Sequence, residues 1–153
     1  MQVVFWILIF LGTFFIMEFN AWFTHKYIMH GFLWNLHEDH HRPQHKHFFE
    51  KNDSFFIIFA IPSMLGFILG SLLHNPYLTA VAIGICIYGL CYFLVHDVFI
   101  HQRFKWFRNS DNIYFRAIRR AHKMHHKHLD KEDGECFGML LVPWKYLKAE
   151  LKK

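Results

Sequence analysis

Histidine is the residue of this sequence whose type and spacing could carry chemistry. The chain has 14 histidines among 153 residues, several times the usual share. Ten of them form two copies of the same pair of motifs, HxxxxH followed by HxxHH. These ten are His25, His30, His37, His40, His41, His96, His101, His122, His125 and His126. At this histidine content one HxxHH is expected by chance only about 0.1 times, so two copies indicate a built site.

The spacing of these motifs is suited to metal binding. On an α-helix an HxxHH motif presents three imidazoles to one place, because positions i, i+3 and i+4 lie within about 100° around the axis. An HxxxxH pair is about 140° apart on an ideal helix, so it should serve two metals or lie where a helix distorts or ends. Imidazole suits iron, copper or zinc. Ten ligands are too many for one ion, which predicts two metals with about five histidines each.

Four further histidines lie outside these motifs. We expect them to be surface residues rather than ligands, since that is the commoner situation for histidine. They are His45, His47, His74 and His128.

Three apolar segments are long enough to position the histidines at a membrane. A helix needs about 20 mostly apolar residues to cross a bilayer, and residues 3–23, 54–73 and 77–96 meet that length. No Asp, Glu, Lys or Arg occurs from Ser54 to His96. The first segment lacks the basic start and the cleavage site of a signal peptide. The sequence therefore predicts an all-α integral membrane bundle of about three transmembrane helices, folded as one domain over 1–153.

Turn and charge signals predict how the segments are arranged. The pair Asn75-Pro76 favours a tight turn, so the second and third segments should form a hairpin. All 17 Lys and Arg residues lie between the first two segments or after His101. The positive-inside rule then places the histidine-rich regions 25–47 and 96–128 on the cytoplasmic side of the inner membrane.

The part of the chain after the spans should be helical and interfacial. One helix is predicted to be capped by Ser110 or Asp111 and to run over 112–126. A second segment, 136–151, is too short to span and is expected to lie at the membrane interface. The net charge of +5 is explained by attraction to anionic lipid. No recognised nucleic-acid module is present, so nucleic acid is not an expected partner.

Acidic side chains could orient the ligands, because a metal-bound imidazole usually donates its second N–H to a carboxylate or carbonyl. Glu18 is the only charged residue within a span and precedes His25 by seven residues, on the same helical face. A carboxylate in lipid needs a partner, so Glu18 should face the bundle and support the site. The other candidates lie beside predicted ligands and are Glu38, Asp39 and Asp97.

Five stretches of the sequence resemble a known family. They are MEFNAWFTHKYIMHG, HEDHH with FEKND, YFLVHDVFIHQRF, AHKMHH and FGMLLVP. These stretches are similar to the bacterial β-carotene 3-hydroxylases, a branch of the membrane fatty-acid hydroxylase and sterol desaturase superfamily. The sequence departs from that family at residues 44–47, and its C-terminal tail is short.

The resemblance implies a non-haem di-iron monooxygenase whose iron ligands are the ten motif histidines. It also implies hydroxylation of β-ring carbon 3, from β-carotene through β-cryptoxanthin to zeaxanthin. O₂ would be the co-substrate, and a ferredoxin-type protein would supply the electrons. An acidic ferredoxin could dock on the basic face that carries Arg116, Arg119, Arg120 and Lys123, although attraction to anionic lipid explains that face equally well.

Two other functions stay open at this point. The same di-iron site could hydroxylate or desaturate a fatty acyl chain or a sterol, because the 19 phenylalanines could line a tunnel for any apolar substrate. A non-enzymatic metal-binding or haem-binding membrane protein is the second alternative. That class is expected to place its ligands near the middle of its spans, whereas the motifs here lie at the ends.

Overall fold

The structure is a computed structural model that describes residues 2–42 and 48–152. Within these residues the chain forms six α-helices and no β-strand, so the predicted all-α fold is confirmed. The helices are α1 (Gln2–Phe23), α2 (Trp34–His41), α3 (Phe55–Leu72), α4 (Pro76–Phe93), α5 (Ile113–His125) and α6 (Trp144–Leu151).

Three of these helices are long and apolar enough to cross a membrane, which confirms the three predicted spans. With the segments that extend them, they cover Gln2–Phe32, Lys51–Leu72 and Pro76–Ile100. Large apolar side chains such as Phe15 and Leu72 are exposed on their outer faces. Helices with apolar residues directed outward are suited to lipid rather than to water.

Helix α4 lies at the centre of the bundle because it packs against both α1 and α3. Small residues allow the close approach. A Cβ added at Gly84 would lie 2.8 Å from the Cβ of Thr13, and one added at Gly66 would lie 3.0 Å from the Cβ of Ala82. Close backbone packing of this kind holds membrane helices together. This packing places the C-terminal ends of α1 and α4 beside each other.

Helices α3 and α4 form the predicted hairpin. The side-chain oxygen of Asn75 accepts hydrogen bonds from the N–H groups of Tyr77 and Leu78, at 3.0 Å and 3.3 Å. Pro76 occupies the first position of α4, where a missing N–H costs nothing. His74 lies in this turn with a positive φ of 49°.

Helices α1 and α4 each continue into a π-helical segment, Thr24–Phe32 and Leu94–Ile100. In such a turn the N–H of residue i+5 binds the C=O of residue i. The N–H of His101 donates in this way to the carbonyl of His96 at 2.9 Å. Residues five apart then face the same side. The HxxxxH motifs therefore lie where the helix distorts, which was one of the two options that the spacing left open.

Helix α5 begins one residue later than predicted. The Asn112 side-chain oxygen accepts a hydrogen bond from the N–H of Phe115 at 3.2 Å, so the predicted cap at Ser110 or Asp111 is wrong. Asn is as good an N-cap as Ser or Asp. All three types occur in succession here, and the sequence alone does not rank them.

Helix α6 packs against α5 and occupies only the second half of the predicted segment 136–151. The Glu150 carboxylate is buried and lies 3.2 Å from the guanidinium nitrogens of both Arg116 and Arg120. Arg119 donates to the carbonyls of Phe99 and Arg108. The basic face that could dock a ferredoxin is therefore partly used to hold α5 and α6 in place.

Candidate metal centre

The ten motif histidines converge in two adjacent clusters beyond the ends of α1 and α4. Cluster one consists of His25, His30, His37, His41 and His125. In cluster two His96 contacts His40 through Nε2 atoms 3.1 Å apart, and the remaining members come from the second half of the chain. Cluster two thus consists of His40, His96, His101, His122 and His126.

Each HxxHH motif divides its histidines between the two clusters. Helix α2 gives His37 and His41 to cluster one and His40 to cluster two, whereas α5 and its C-terminal cap give His122 and His126 to cluster two and His125 to cluster one. Positions i and i+4 are about 40° apart on a helix, and position i+3 lies about 60° to the other side. The middle histidine therefore crosses over. The expectation that each triple converges at one place differs from the structure in this respect.

Each HxxxxH motif, in contrast, stays together. His25 and His30 both belong to cluster one, and the rings of His96 and His101 in cluster two are 4.5 Å apart between centroids. The π-helical segments make this possible, because they turn residues five apart toward the same side.

The Nε2 atoms of cluster one face inward at short distances. That of His37 lies 3.2 Å from the Nε2 atoms of both His25 and His41. Those of His30 and His125 are also 3.2 Å apart.

The Nε2 atoms of cluster two meet in the same way. That of His122 lies 2.9 Å from the Nε2 of His101 and 2.8 Å from the Nε2 of His126. The Nε2 atoms of His40 and His96 form the third close pair.

Main-chain and amide oxygens hold the outer nitrogens of cluster one. Four of them come from residues 128–141, which we call the strap. Through Nδ1, four histidines donate to strap carbonyls at 2.8–3.1 Å: His41 to His128, His30 to Lys131, His125 to Glu135 and His25 to Phe137. The Nδ1 of His37 donates to the side-chain oxygen of Asn52 at 2.7 Å.

Carboxylates hold the outer nitrogens of two histidines of cluster two. The Nδ1 of His40 donates to Glu50 at 2.7 Å, and that of His96 contacts Asp97 at 3.3 Å. Arg103 in turn binds Asp97 at 2.8 Å and Asp53 at 2.7 Å. Both carboxylates raise the pKa of the Arg103 guanidinium.

These contacts define a donor set that fits metal ions. An oxygen acceptor on Nδ1 keeps the proton of a neutral imidazole on that nitrogen, so the lone pair on Nε2 points into the cluster. Two buried lone pairs about 3 Å apart cannot hydrogen-bond to each other. A cation between them would stabilise both, and two nitrogens that share one ion at about 2.1 Å lie about 3.0 Å apart at right angles. Each cluster can therefore hold one ion.

Burial keeps the imidazoles in the neutral form that binds metal. It is the largest cause that lowers the pKa of His37, His125 and His126 to about 2 and that of His41 to about 4. Neighbouring imidazoles lower these values further, because two positive charges would repel each other. The same two causes hold the pKa of His40, His101 and His122 well below the usual range.

The structure gathers all ten predicted ligands into these clusters, and their binding of a metal stays a prediction. Of the acidic candidates, Asp97 contacts a histidine, whereas Glu38 pairs with Arg42 and Asp39 accepts from the main chain of Lys51. Glu18 is buried and binds the strap, where the N–H of Met139 donates to its carboxylate.

Sequence reasoning missed three kinds of partner. Glu50 and Asn52 belong to the FEKND stretch, so that stretch was a usable signal. The strap carbonyls carry no side-chain signal.

The four histidines outside the motifs contribute no ring to either cluster within the described residues. His74 lies in the hairpin turn, His128 contributes only its carbonyl, and His45 and His47 lie outside the described residues.

Comparison with known proteins gives consistent matches over most of the chain. The model of the fatty acid hydroxylase family matches residues 10–148. A β-carotene hydroxylase of Paracoccus sp. (strain PC1) is 36% identical over 95% of this chain and 90% of the relative. One of Pantoea ananas is 42% identical over 83% of this chain and 71% of the relative. A chloroplastic β-carotene 3-hydroxylase of Gentiana lutea is 38% identical over 83% of this chain and 40% of the longer plant protein. No solved structure matches the chain.

Proposed function

The chain belongs to the fatty acid hydroxylase family, and we propose that it is a membrane carotenoid hydroxylase. The reaction would hydroxylate β-ring carbon 3, converting β-carotene through β-cryptoxanthin to zeaxanthin. The names of its relatives support this substrate. The observation that carries the chemistry is the pair of buried histidine clusters with inward-facing Nε2 atoms. The whole of residues 1–153 would act as one domain.

Each cluster would hold one iron ion. Together the two irons would supply the activation of O₂, with two electrons and two protons, that oxygen insertion into an unactivated ring C–H requires. The ligands would be the five histidines of cluster one and the five of cluster two. His125 and His40 would each bind the ion that the other two histidines of their HxxHH motif do not bind. The low pKa values of seven of these imidazoles support the assignment, because protons compete poorly with the metal. These seven are His37, His40, His41, His101, His122, His125 and His126.

The chain's own residues prepare the site for that chemistry. Most of the ten rings are buried, which limits the access of water to the reacting atoms. The strap, Asn52, Glu50 and Asp97 fix ring orientation through Nδ1. On the side of the spans, Tyr92 lies with its ring 5.0 Å from that of His96. An apolar substrate dissolved in the bilayer would approach from that side.

Electrons would come from a separate ferredoxin-type protein on the cytoplasmic side of the inner membrane. The distribution of basic residues supports this orientation through the positive-inside rule. On the face formed by α5 and α6, Arg116 and Arg120 share Glu150 and Arg116 also lies 4.0 Å from Asp111. The positive charge of this face is therefore left to Arg119, which contacts only main-chain carbonyls. Lys123 adds to that charge, and such a face would attract an acidic donor.

The direct test is expression in a bacterial host that accumulates β-carotene. We expect oxygen-dependent formation of 3-hydroxylated carotenoid by the unaltered chain and none by the His125→Ala variant. Intact, iron-loaded protein that forms no hydroxylated carotenoid would contradict the substrate assignment. Hydroxylated or desaturated fatty acyl chains or sterols in the same extracts would point to the alternative substrates of this family. A Soret band without turnover would point to haem binding.

A further inference from the structure

Glu18 is a buried carboxylate in the first span whose surroundings are made almost entirely by the strap. Only 6% of the Glu18 surface is exposed. It accepts hydrogen bonds from the main-chain N–H groups of Met139, Leu140 and Leu141 at 2.9–3.0 Å. The hydroxyl of Tyr88 donates to it at 2.7 Å.

This arrangement is an anion site built from the main chain. Successive N–H groups that converge on one point bind negative charge, and hydrogen bonds to an ionised acceptor are stronger than neutral ones. Gly138 permits the close approach, since a Cβ at that position would lie 3.3 Å from a Glu18 carboxylate oxygen. Glu18 therefore anchors the C-terminal end of the strap to α1.

The anchored strap is the element that orients cluster one. Four of its main-chain carbonyls accept from the Nδ1 atoms of four different cluster-one histidines, and the last of these, from Phe137, lies two residues before the anchor at Met139. The Nδ1 partners that the structure gives for cluster two come from elsewhere, namely from Glu50 and Asp97.

The strap also contains backbone that needs to be held. Asp133 and Cys136 have φ values of 58° and 60°, a left-handed conformation that costs free energy for residues other than glycine. Cys136 lies between Glu135 and Phe137, whose carbonyls both bind histidines. Such a conformation persists only when its surroundings fix it. The Glu18 anchor is one contact that does so.

We propose that Glu18 is a positioning residue for cluster one alone, acting through the strap on the imidazoles of His25, His30, His41 and His125. The proposal rests on the proposed function in one respect, that each cluster binds a metal ion. It predicts that the two metal sites respond differently to a change at Glu18, although this residue touches no ligand.

The test is a chelator titration of iron in the purified full-length protein in detergent. Loss of an outer hydrogen-bonding partner lowers metal affinity by about 10-fold to 100-fold. Glu18→Gln should therefore lose one of its two irons at a chelator concentration that leaves the unaltered protein loaded, and should hold the other normally. Tyr88→Phe is the matched control. It removes a hydrogen bond to the same carboxylate but leaves the main-chain contacts, and should keep both irons.

A mirrored variant identifies which site is lost. Glu50→Gln should weaken cluster two, so Glu18→Gln combined with Glu50→Gln should release both irons under conditions where each single variant releases one. Faster hydrogen exchange of the N–H groups of Met139, Leu140 and Leu141 in Glu18→Gln would support the route through the strap. If this variant does not accumulate, Glu18→Asp keeps the charge but withdraws it from the strap, and should show the same selective loss in a milder form.

The outcomes separate the two levels of the proposal. Glu18→Gln protein that holds both irons as tightly as the unaltered protein, or that loses both in parallel, would overturn the role of Glu18 while leaving the proposed function intact. Unaltered protein that binds no metal would overturn both.

Discussion

Clusters one and two receive the same kinds of ligand from the same motifs, yet their outer partners differ in charge and in origin. Neutral oxygens surround cluster one, and four of these come from the strap, which begins 98 residues after His30. In cluster two, two of the five histidines have carboxylate partners, Glu50 for His40 and Asp97 for His96. A carboxylate partner makes an imidazole a stronger base and a better ligand than a carbonyl does. Equal ligand counts therefore need not give equal metal sites.

The largest effect should come from breaking the crossover of the middle histidines. His40→Ala with His101→Ala removes two members of cluster two, so one iron should remain. His40→Ala with His41→Ala removes one member from each cluster, so both irons should be weakened. Turnover should fall by at least about 100-fold in each double variant, because the substituted histidines would hold the irons that the reaction needs. Iron analysis and carotenoid extracts measure both quantities.

The opposite pattern of metal loss would contradict this division. If the adjacent pair released one iron and the pair from different motifs released both, each HxxHH motif would serve a single metal. His40→Ala and His125→Ala alone should each abolish turnover and lower metal content.

Substituting the residues that bind the outer Nδ1 atoms is expected to have the next largest effect on the metal sites. Glu50→Gln should weaken the iron of cluster two, and Asn52→Ala should weaken that of cluster one, each by about 10-fold to 100-fold. The glutamate change removes a charge, so it should also alter the reduction potential more than the asparagine change does. Chelator titration and potentiometry test the two variants side by side. Equal shifts in potential would remove the electrostatic distinction between the clusters.

Metal removal should give a measurable loss of stability. Without an ion the inward lone pairs lack a partner, which destabilises the folded arrangement. Iron at 100 times its dissociation constant would add about 2.7 kcal/mol per site. Thermal unfolding in detergent should therefore occur at a lower temperature after chelation and should recover in two steps as iron is returned. Recovery in one step at one iron per chain would contradict two independent sites.

The smallest effects are expected at histidines that contribute no ring to either cluster. His128→Ala should leave metal content and turnover within about twofold, because its carbonyl and not its imidazole binds His41. His74→Ala should be equally silent, since His74 lies in the hairpin turn. Loss of an iron in either variant would show that the ring has a role that the structure does not give it.

Much of this organisation could be predicted from local sequence. Apolar length identified the three spans, Asn75-Pro76 identified the hairpin, and the repeated motifs identified the ten histidines that meet. Glu18 stood out because a carboxylate among apolar residues needs a partner. These signals can each be read from a short stretch of the sequence.

The division of the ligands could not be predicted in the same way. Helix periodicity sets the middle histidine of HxxHH apart from the other two, but whether the motif divides between two clusters depends on how α2 and α5 face each other, and that is a tertiary arrangement. The π-helical turns were one of two options for HxxxxH. The strap acts on cluster one through main-chain carbonyls, which every residue possesses, so no residue type marks it. The cap of α5 was missed because Ser110, Asp111 and Asn112 are all suitable.

Mössbauer spectroscopy of the protein loaded with ⁵⁷Fe tests the central claim most directly. Two unlike clusters predict two irons per chain and two doublets of equal area, of which Glu50→Gln shifts one and Asn52→Ala shifts the other. One iron per chain, or a single doublet that responds to both variants, would contradict the account.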